Sequence, residues 1–443
     1  MVEAAEAQAG HTQTGQTGTL SPIRRLAAIL GGSAGNLVEW YDWFAYASFS
    51  IYFARVFFPK GDQTDQLLPT SVIFALGFIA RPIGAWAMGL FADRAGRRGA
   101  LAVSVVLMAA GSLLAALVPG FAAIGAWAPA LLTIARLVQG FSLGGQYGVS
   151  ATYLSEMAGR GHRGFWSSFQ FVTLIGGQLI ALAVLIVLQH ALSAAALEAW
   201  GWRVAFMIGA LLALTVFAVQ MRLDETPSYG AAKVEGAPRA ETMLLFTRHP
   251  RETAIVFVLT SAGSLTFYAF TTYMQKFLTN TAHFSKAQAT DLSASSLIAL
   301  LAVLPIAGWL GDRLGRKALL GASFGLLALA TWPILATLAR QTSEAGALAL
   351  LFAALVLFSG YAAMSAVVKA ELFPAHVRGL GVALPYALAN ALFGGTAEAV
   401  ALSFKKAGLE RGFYVYVSVV CAVAFVVALR MRDTQRASLI LED

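Results

Sequence analysis

Gly89-Leu-Phe-Ala-Asp93-Arg94-Ala-Gly96-Arg97-Arg98 recurs half a chain later as Gly308-Trp-Leu-Gly-Asp312-Arg313-Leu-Gly315-Arg316-Lys317. The two stretches place Gly, Asp-Arg, Gly and Arg at the same spacing, each where a long apolar segment ends in a basic loop. A second pair repeats at nearly the same offset: Glu156 with Arg163-Gly164, and Glu371 with Arg378-Gly379. Two independent motifs at one separation mark an internal duplication, so the chain reads as two related halves.

The solvent of those halves follows from composition. Of 443 residues, 58% are hydrophobic and 12% charged, against about a quarter charged in soluble domains. The apolar residues come in long blocks, such as Leu101 to Val118, Ala205 to Ala218 and Ala347 to Phe358. With their Gly, Ser and Thr neighbours many blocks reach the roughly 20 residues a helix needs to cross a bilayer. Twelve segments result: 27–57, 67–92, 99–118, 128–157, 164–190, 201–222, 250–280, 288–311, 317–338, 345–371, 379–404 and 411–431. The expected fold is an all-α membrane protein, twelve transmembrane helices in two pseudo-symmetric six-helix halves, 27–222 and 250–431.

The net charge of +8 could suggest a nucleic-acid partner, but most of the 31 Lys and Arg fall in the tails and alternate loops. That is the positive-inside pattern of a multi-pass protein of a cell inner membrane. It places the tail 1–26, the hydrophilic linker 223–249 and the tail 432–443 in the cytoplasm. The first 20 or so residues lack signal-peptide features and are expected to be disordered. The lone Cys421 excludes an internal disulfide. Scattered His residues without ligand spacing, and no Gly-Lys-Ser/Thr phosphate loop, point away from metal chemistry and ATP. No cofactor, metal or nucleic acid is expected, and the chain is expected to act as a monomer.

The loop motifs have a structural reading first: Asp93 and Arg97, Glu156 and Arg163, Asp312 and Arg316, and Glu371 and Arg378 can join neighbouring helices by charge-assisted hydrogen bonds. A latch made in one conformation and broken in another would also bias the balance between them.

These repeated loops resemble the signature of the major facilitator superfamily. Gly35-Asn-Leu-Val-Glu39-Trp-Tyr-Asp42, Arg81-Pro-Ile-Gly84, Arg136-Leu-Val-Gln139-Gly140, Gly144-Gly-x-Tyr147 and Glu371-Leu-Phe-Pro-Ala-x-Val-Arg378-Gly resemble its metabolite:proton symporters. Within that group Ser168-Phe-Gln170 to Gln178, Phe270-Thr-Thr-Tyr-Met-Gln-Lys276 and Tyr386-Ala-x-Ala-Asn390 to Glu398 are similar to alpha-ketoglutarate permeases. The resemblance runs from about Arg24 to Arg430. It implies a cavity between two halves, alternating access and substrate moving with protons. Members of the group usually carry Glu in the Gly-Gly-x-Tyr segment. Gln146 stands there, shaped like a protonated Glu but unable to release a proton, which leaves coupling at that position open.

Ionisable residues inside a membrane cost several kcal/mol, so they are candidate functional groups. For substrate the candidates are Arg81, Arg136 and Lys276, whose cations suit a small organic anion, with Gln170, Tyr46, Tyr268, Tyr273 and Asn390 as hydrogen-bond partners. Asp42, Glu39 and Glu398 are candidate proton carriers beside Gln146. Arg81 and Arg136 could instead be structural ion pairs with Glu39 or Asp42. Lys276 could snorkel to the interface, and Lys369, near the cytoplasmic end, is expected to help the latch. The expected activity is symport of 2-oxoglutarate or a similar di- or tricarboxylate. A citrate, shikimate or proline/betaine carrier, an uncoupled facilitator or exchanger, and a non-transporting sensor stay open. An enzyme would need a metal site or a nucleophile and base that the sequence does not assemble.

Overall fold

A computed structural model describes residues 22–95, 97–142, 160–220, 242–435 and 438. Gln146 and Glu156, and the side chains of Asp93 and Arg97, lie outside the described residues, as do most of the N-terminal tail and linker.

Each apolar block is a helix: α1 Pro22–Phe57, α2 Gln63–Ala95, α3 Arg97–Leu117, α4 Trp127–Ser142, α5 Arg163–Ala191 and α6 Trp202–Gln220 in the first half. The second holds α7 (Pro250–Phe270, then Met274–Asn280), α8 Lys286–Leu314, α9 Arg316–Leu338, α10 Glu344–Glu371, α11 (Ala375–Ala389, a π turn Asn390–Gly394, then Ala397–Lys406) and α12 Glu410–Arg430. Local signals set several ends. Ser285 and Gln288 form a reciprocal capping box that starts α8. Pro250 occupies the first turn of α7, where a missing N–H costs nothing. Gly315 turns the chain between α8 and α9 at φ +98°, a conformation that strains any residue with a Cβ.

The structure departs from the expected elements in four places. α1 begins at Pro22, inside the expected tail, and Thr242–Arg248, inside the expected linker, is a short helix. Its Leu245 is completely buried in a cluster with Phe373 and Val377, because Met243-Leu-Leu-Phe246 is apolar enough to leave water. Two segments expected to be continuous are interrupted. In α7 the Tyr273 N–H bonds back to Tyr268 O at 2.8 Å across Thr271-Thr272, and in α11 the Gly395 N–H reaches Asn390 O at 2.7 Å. Each is a five-residue step that inserts a residue into the helical phase, a device common at functional sites.

The halves meet along two seams, α5 against α8 and α10, and α2 against α11. Aromatic side chains fill the space between: Phe44 and Phe171 lie 6.2 and 5.8 Å from Phe267, and Phe78 lies 5.4 Å from Tyr268. Large apolar side chains such as Trp86, Leu211, Ile306 and Leu329 instead point outward. Among the described residues nine helices are long and apolar enough to span a membrane. The outward apolar coat is what lipid solvates.

Candidate functional site

Asp42 anchors the first half. Its Oδ1 accepts from Ser112 Oγ of α3 at 2.5 Å, and its Oδ2 from Gln139 Nε2 of α4 at 2.6 Å. Gln139 Oε1 in turn accepts from Arg136 Nη1 at 2.7 Å. Arg136 is therefore tied to Asp42 through an amide rather than by a direct ion pair. That amide has a defined sense: it donates to the acid and accepts from the cation.

Trp43, the next residue on α1, carries both arginines. The Arg81 guanidinium lies 3.9 Å and that of Arg136 4.0 Å from its ring centroid. Phe78 lies 4.2 Å from Arg81, and Tyr46 lies 4.3 Å from Arg136. Aromatic faces hold guanidinium groups by their quadrupole and leave the N–H edges unused. Arg81 Nε, Arg136 Nε and Nη2, and Trp43 Nε1 are buried donors with no hydrogen-bond partner. Arg81 makes no ion pair among the described residues; Glu39, buried on α1, is near enough to feel its charge but does not bond it. Across the seam, the Tyr268 and Tyr386 hydroxyls lie within electrostatic reach of Arg81, and Asn390 Nδ2 is 3.4 Å from the Tyr386 hydroxyl.

Other expected site residues are placed elsewhere. Lys276 neither snorkels nor stands open to substrate: it is completely buried, pairs with Glu398 Oε2 at 2.7 Å and donates to Ala47 O of α1 at 2.9 Å. Glu398, a candidate proton carrier, meets Lys276 because the π turn rotates the helix that follows it. The Tyr46 hydroxyl is committed to Thr70 O at 2.9 Å, so that residue supports Arg136 with its ring. Tyr273 packs 5.6 Å from Phe413 of α12. Gln170 is buried within α5.

Lys369, expected to help the latch, also reaches away from the loop motifs. A helical Cα–Cβ bond tilts toward the helix N-terminus, so this side chain leans into the bundle, where Nζ is 3.4 Å from the Tyr361 hydroxyl and 4.8 Å from the Tyr386 ring. Trp43 and Ser112 are residues of this candidate site that the sequence pattern did not single out. Trp43 follows Trp40 by three residues and so shares its face, a usable signal; a single Ser in α3 carried none.

The latch forms on the face that bears both ends of the described chain. Asp312 caps α5, accepting from Gly164 N at 2.8 Å and Phe165 N at 2.9 Å, an anion on a helix N-terminus. The backbones of Gly164 and Gly308 approach so closely that a Cβ on either would collide with the other's carbonyl. Glu371 pairs with Arg316, and Arg163 of the opposite half lies 3.9 Å from it. Arg378 bonds Phe373 O at 3.3 Å and so holds the loop after α10. The C-terminal tail also touches the latch, with Gln435 Nε2 3.0 Å from Asp312 O. At the opposite face Gln189 of α5 bonds Thr290 of α8 at 3.1 Å and Lys406 pairs with Asp65 at 2.8 Å, so the halves are bridged at both ends.

Asp312→Asn is expected to open the latch face, because the amide loses the charge that favours the α5 terminus. A shift of about 5- to 30-fold in the conformational equilibrium corresponds to roughly 1 to 2 kcal/mol. Labelling of a cysteine introduced beneath the latch measures it, since Cys421, the only native one, is buried. Unchanged labelling from both faces would make the latch purely structural.

The sugar (and other) transporter family matches residues 28–252 and 234–441. An alpha-ketoglutarate permease of Escherichia coli (strain K12) is 48% identical over 92% of this chain and 94% of its own. A citrate-proton symporter of Klebsiella pneumoniae is 36% identical over 84% and 83%, and a proline/betaine transporter of Escherichia coli (strain K12) is 28% identical over 92% and 83%. Among solved structures, a major facilitator superfamily proton:xylose symporter bound to 6-bromo-6-deoxy-D-glucose superposes with a TM-score of 0.75 at 18% identity, covering 93% of this chain and 97% of that one. At that identity the likeness is one of fold.

Proposed function

Because the chain belongs to the sugar (and other) transporter family of the major facilitator superfamily, we propose that it is a secondary active transporter that carries 2-oxoglutarate or a similar organic acid together with protons. It is a multi-pass membrane transporter and not an enzyme. The observation that carries the substrate class is the pair of arginines on Trp43, whose buried N–H edges lack acceptors. A buried donor without a partner costs about 1–3 kcal/mol, and a carboxylate supplies acceptors in the planar geometry guanidinium matches. The names of the alpha-ketoglutarate permease and citrate-proton symporter point to the same class.

The Asp42–Gln139–Arg136 chain supports coupling. A proton on Asp42 Oδ2 would turn an acceptor toward Gln139 Nε2, itself a donor, into a second donor. Rotating the amide restores that bond but turns Nε2 toward Arg136 Nη1, releasing the guanidinium for substrate. Proton and anion thereby favour the same rearranged state, which is what thermodynamic coupling requires.

In this reading the halves 27–222 and 250–431 rock about the cavity with both termini and the linker in the cytoplasm, and the protein works as a monomer in the inner membrane. Gln146 favours a second reading, a facilitator or exchanger without proton coupling. Uptake of labelled 2-oxoglutarate into proteoliposomes, with and without an inward proton gradient, tests the first reading. Gradient-driven accumulation is expected. Uptake that ignores the gradient would leave the exchanger reading, and no uptake of any carboxylate would remove the anion reading itself.

A further inference from the structure

A groove of about 590 Å³ lies between the start of α2 and the start of α4, at the end of the bundle opposite the latch. That volume falls among specific ligand sites, roughly 300–1,000 Å³. Leu68, Val72 and Ile73 of α2 and Pro129 and Ala130 of α4 line it with apolar surface. The charged side chains that line it are Asp65, at the start of α2, and Lys406, at the end of α11 in the other half. From Asp65 to Ile73 it runs about 12 Å at the helical rise per residue, from a charged rim toward the middle of the span.

Val72 and, further along α2, Ile79, Ile83 and Trp86 are exposed at spacings that keep them on one stripe. An apolar stripe on a spanning helix faces acyl chains, so the groove opens into lipid. Trp127, exposed at the start of α4, has the amphipathic ring that marks the headgroup level. The rim therefore stands among headgroups and the apolar length among acyl chains, which is the layout of one phospholipid.

The rim also carries both signs of charge. Lys406 Nζ pairs with Asp65 Oδ1 at 2.8 Å, which uses one of the ammonium N–H groups, and the Lys406 side chain stays 57% exposed. On the acidic side, Pro69 has no N–H to give the Asp65 carbonyl four residues earlier, so that acceptor lacks its helical donor. Asp62 adds a second carboxylate, its N–H bonded to Asp65 Oδ2 at 3.3 Å. The rim thus offers donors to a phosphate and acceptors to a primary ammonium. A headgroup with a phosphate alone would leave the carboxylates facing an anion, and the quaternary ammonium of choline has no N–H to give them.

We propose that this groove binds one aminophospholipid, with the chemistry of phosphatidylethanolamine: an acyl chain between α2 and α4, the phosphate on Lys406 and the ammonium at Asp65. Because α2 and α4 belong to the first half and Lys406 to the second, the lipid holds the α2–α11 seam on the face opposite the latch. It binds the state closed on that face more tightly than one in which the seam has parted, and so shifts the balance toward closure there. The site lies on the outside of the bundle and does not depend on which substrate the arginines take.

The test titrates the purified, delipidated full chain with dioleoyl phosphatidylethanolamine, phosphatidylcholine or phosphatidylglycerol and counts bound lipid by native mass spectrometry. Phosphatidylethanolamine is expected to fill one site at about 3- to 10-fold lower concentration than either of the others. Asp65→Ala is expected to bring phosphatidylcholine level with it, and Lys406→Ala to weaken both by about 3- to 10-fold. Ala130→Phe and Val72→Phe, which fill the groove and leave the rim intact, are expected to abolish the site, and each checks the other should one fail to fold. A cysteine introduced on the seam face is then labelled in vesicles of phosphatidylethanolamine with phosphatidylglycerol, or of phosphatidylcholine with phosphatidylglycerol. Labelling is expected to be about 3- to 10-fold lower with ethanolamine in the parent, and equal in the two vesicles for Lys406→Ala. Binding that does not distinguish the three lipids, or that survives both filling variants, would reduce the groove to ordinary lipid contact. A preference for phosphatidylglycerol would overturn the aminophospholipid assignment, and labelling of the parent that ignores the lipid would overturn the hold on the seam.

Discussion

Arg81→Lys is expected to lower uptake of 2-oxoglutarate at sub-saturating concentration by about 10- to 100-fold, with Arg81→Ala still lower, while the amount of folded protein in the membrane stays near that of the parent. Lys keeps the charge but loses the planar fork, and a charge-assisted hydrogen bond of roughly 1.5–3 kcal/mol is worth about this range in affinity. Folding is expected to survive because Arg81 is held by the faces of Trp43 and Phe78 and, among the described residues, no carboxylate is bonded to it. Its removal therefore strands no bonded partner, unlike breaking a pair such as Lys276 with Glu398, which leaves an uncompensated buried charge. Size-exclusion profiles of the tagged protein measure the folded amount, and proteoliposome uptake measures function. Near-parent uptake by Arg81→Lys would take this residue out of the binding site.

Asp42→Asn is expected to abolish accumulation against a gradient while exchange of internal for external substrate continues. The amide keeps the shape of the acid and can still bond Ser112 and Gln139 in one orientation, so the junction of α1, α3 and α4 should persist. It cannot exchange a proton, so the Gln139 amide no longer receives a signal to turn. A carrier accumulates substrate only when ion and substrate act through one conformational change, so binding and accumulation separate. Gln139→Leu, which cuts the same chain at its middle while leaving Asp42 titratable, is expected to uncouple in the same way. Accumulation by Asp42→Asn equal to the parent's would move the proton to Glu39 or to another acid.

Part of this site is legible in the amino-acid sequence. Arg81, Arg136, Glu39 and Asp42 announce themselves because an ionisable residue inside a long apolar segment is costly and needs a reason. The loop motifs likewise predict a latch, and Asp312, Arg316, Glu371 and Arg163 meet as a group on one face. Which cation is already satisfied is not legible there. Lys276 and Arg81 look equivalent in sequence, yet the first is closed in an ion pair and the second is open.

The chain's own sequence determined the solvent, the number of spans, the duplication and the depth of each charge, since these follow from local hydropathy, helical rise and repeated motifs. Tertiary structure alone decided the partners. The interruptions after Phe270 and at Asn390–Gly394 change the helical phase beyond them, and so set whether Glu398 faces Lys276 or Tyr386. The direction of a helical side chain carried Lys369 inward, although its backbone lies beside the latch. Trp43 became a platform for two cations only because the side chains of Arg81 on α2 and Arg136 on α4 reach the same ring of α1, a contact between segments far apart in the chain that no local pattern encodes.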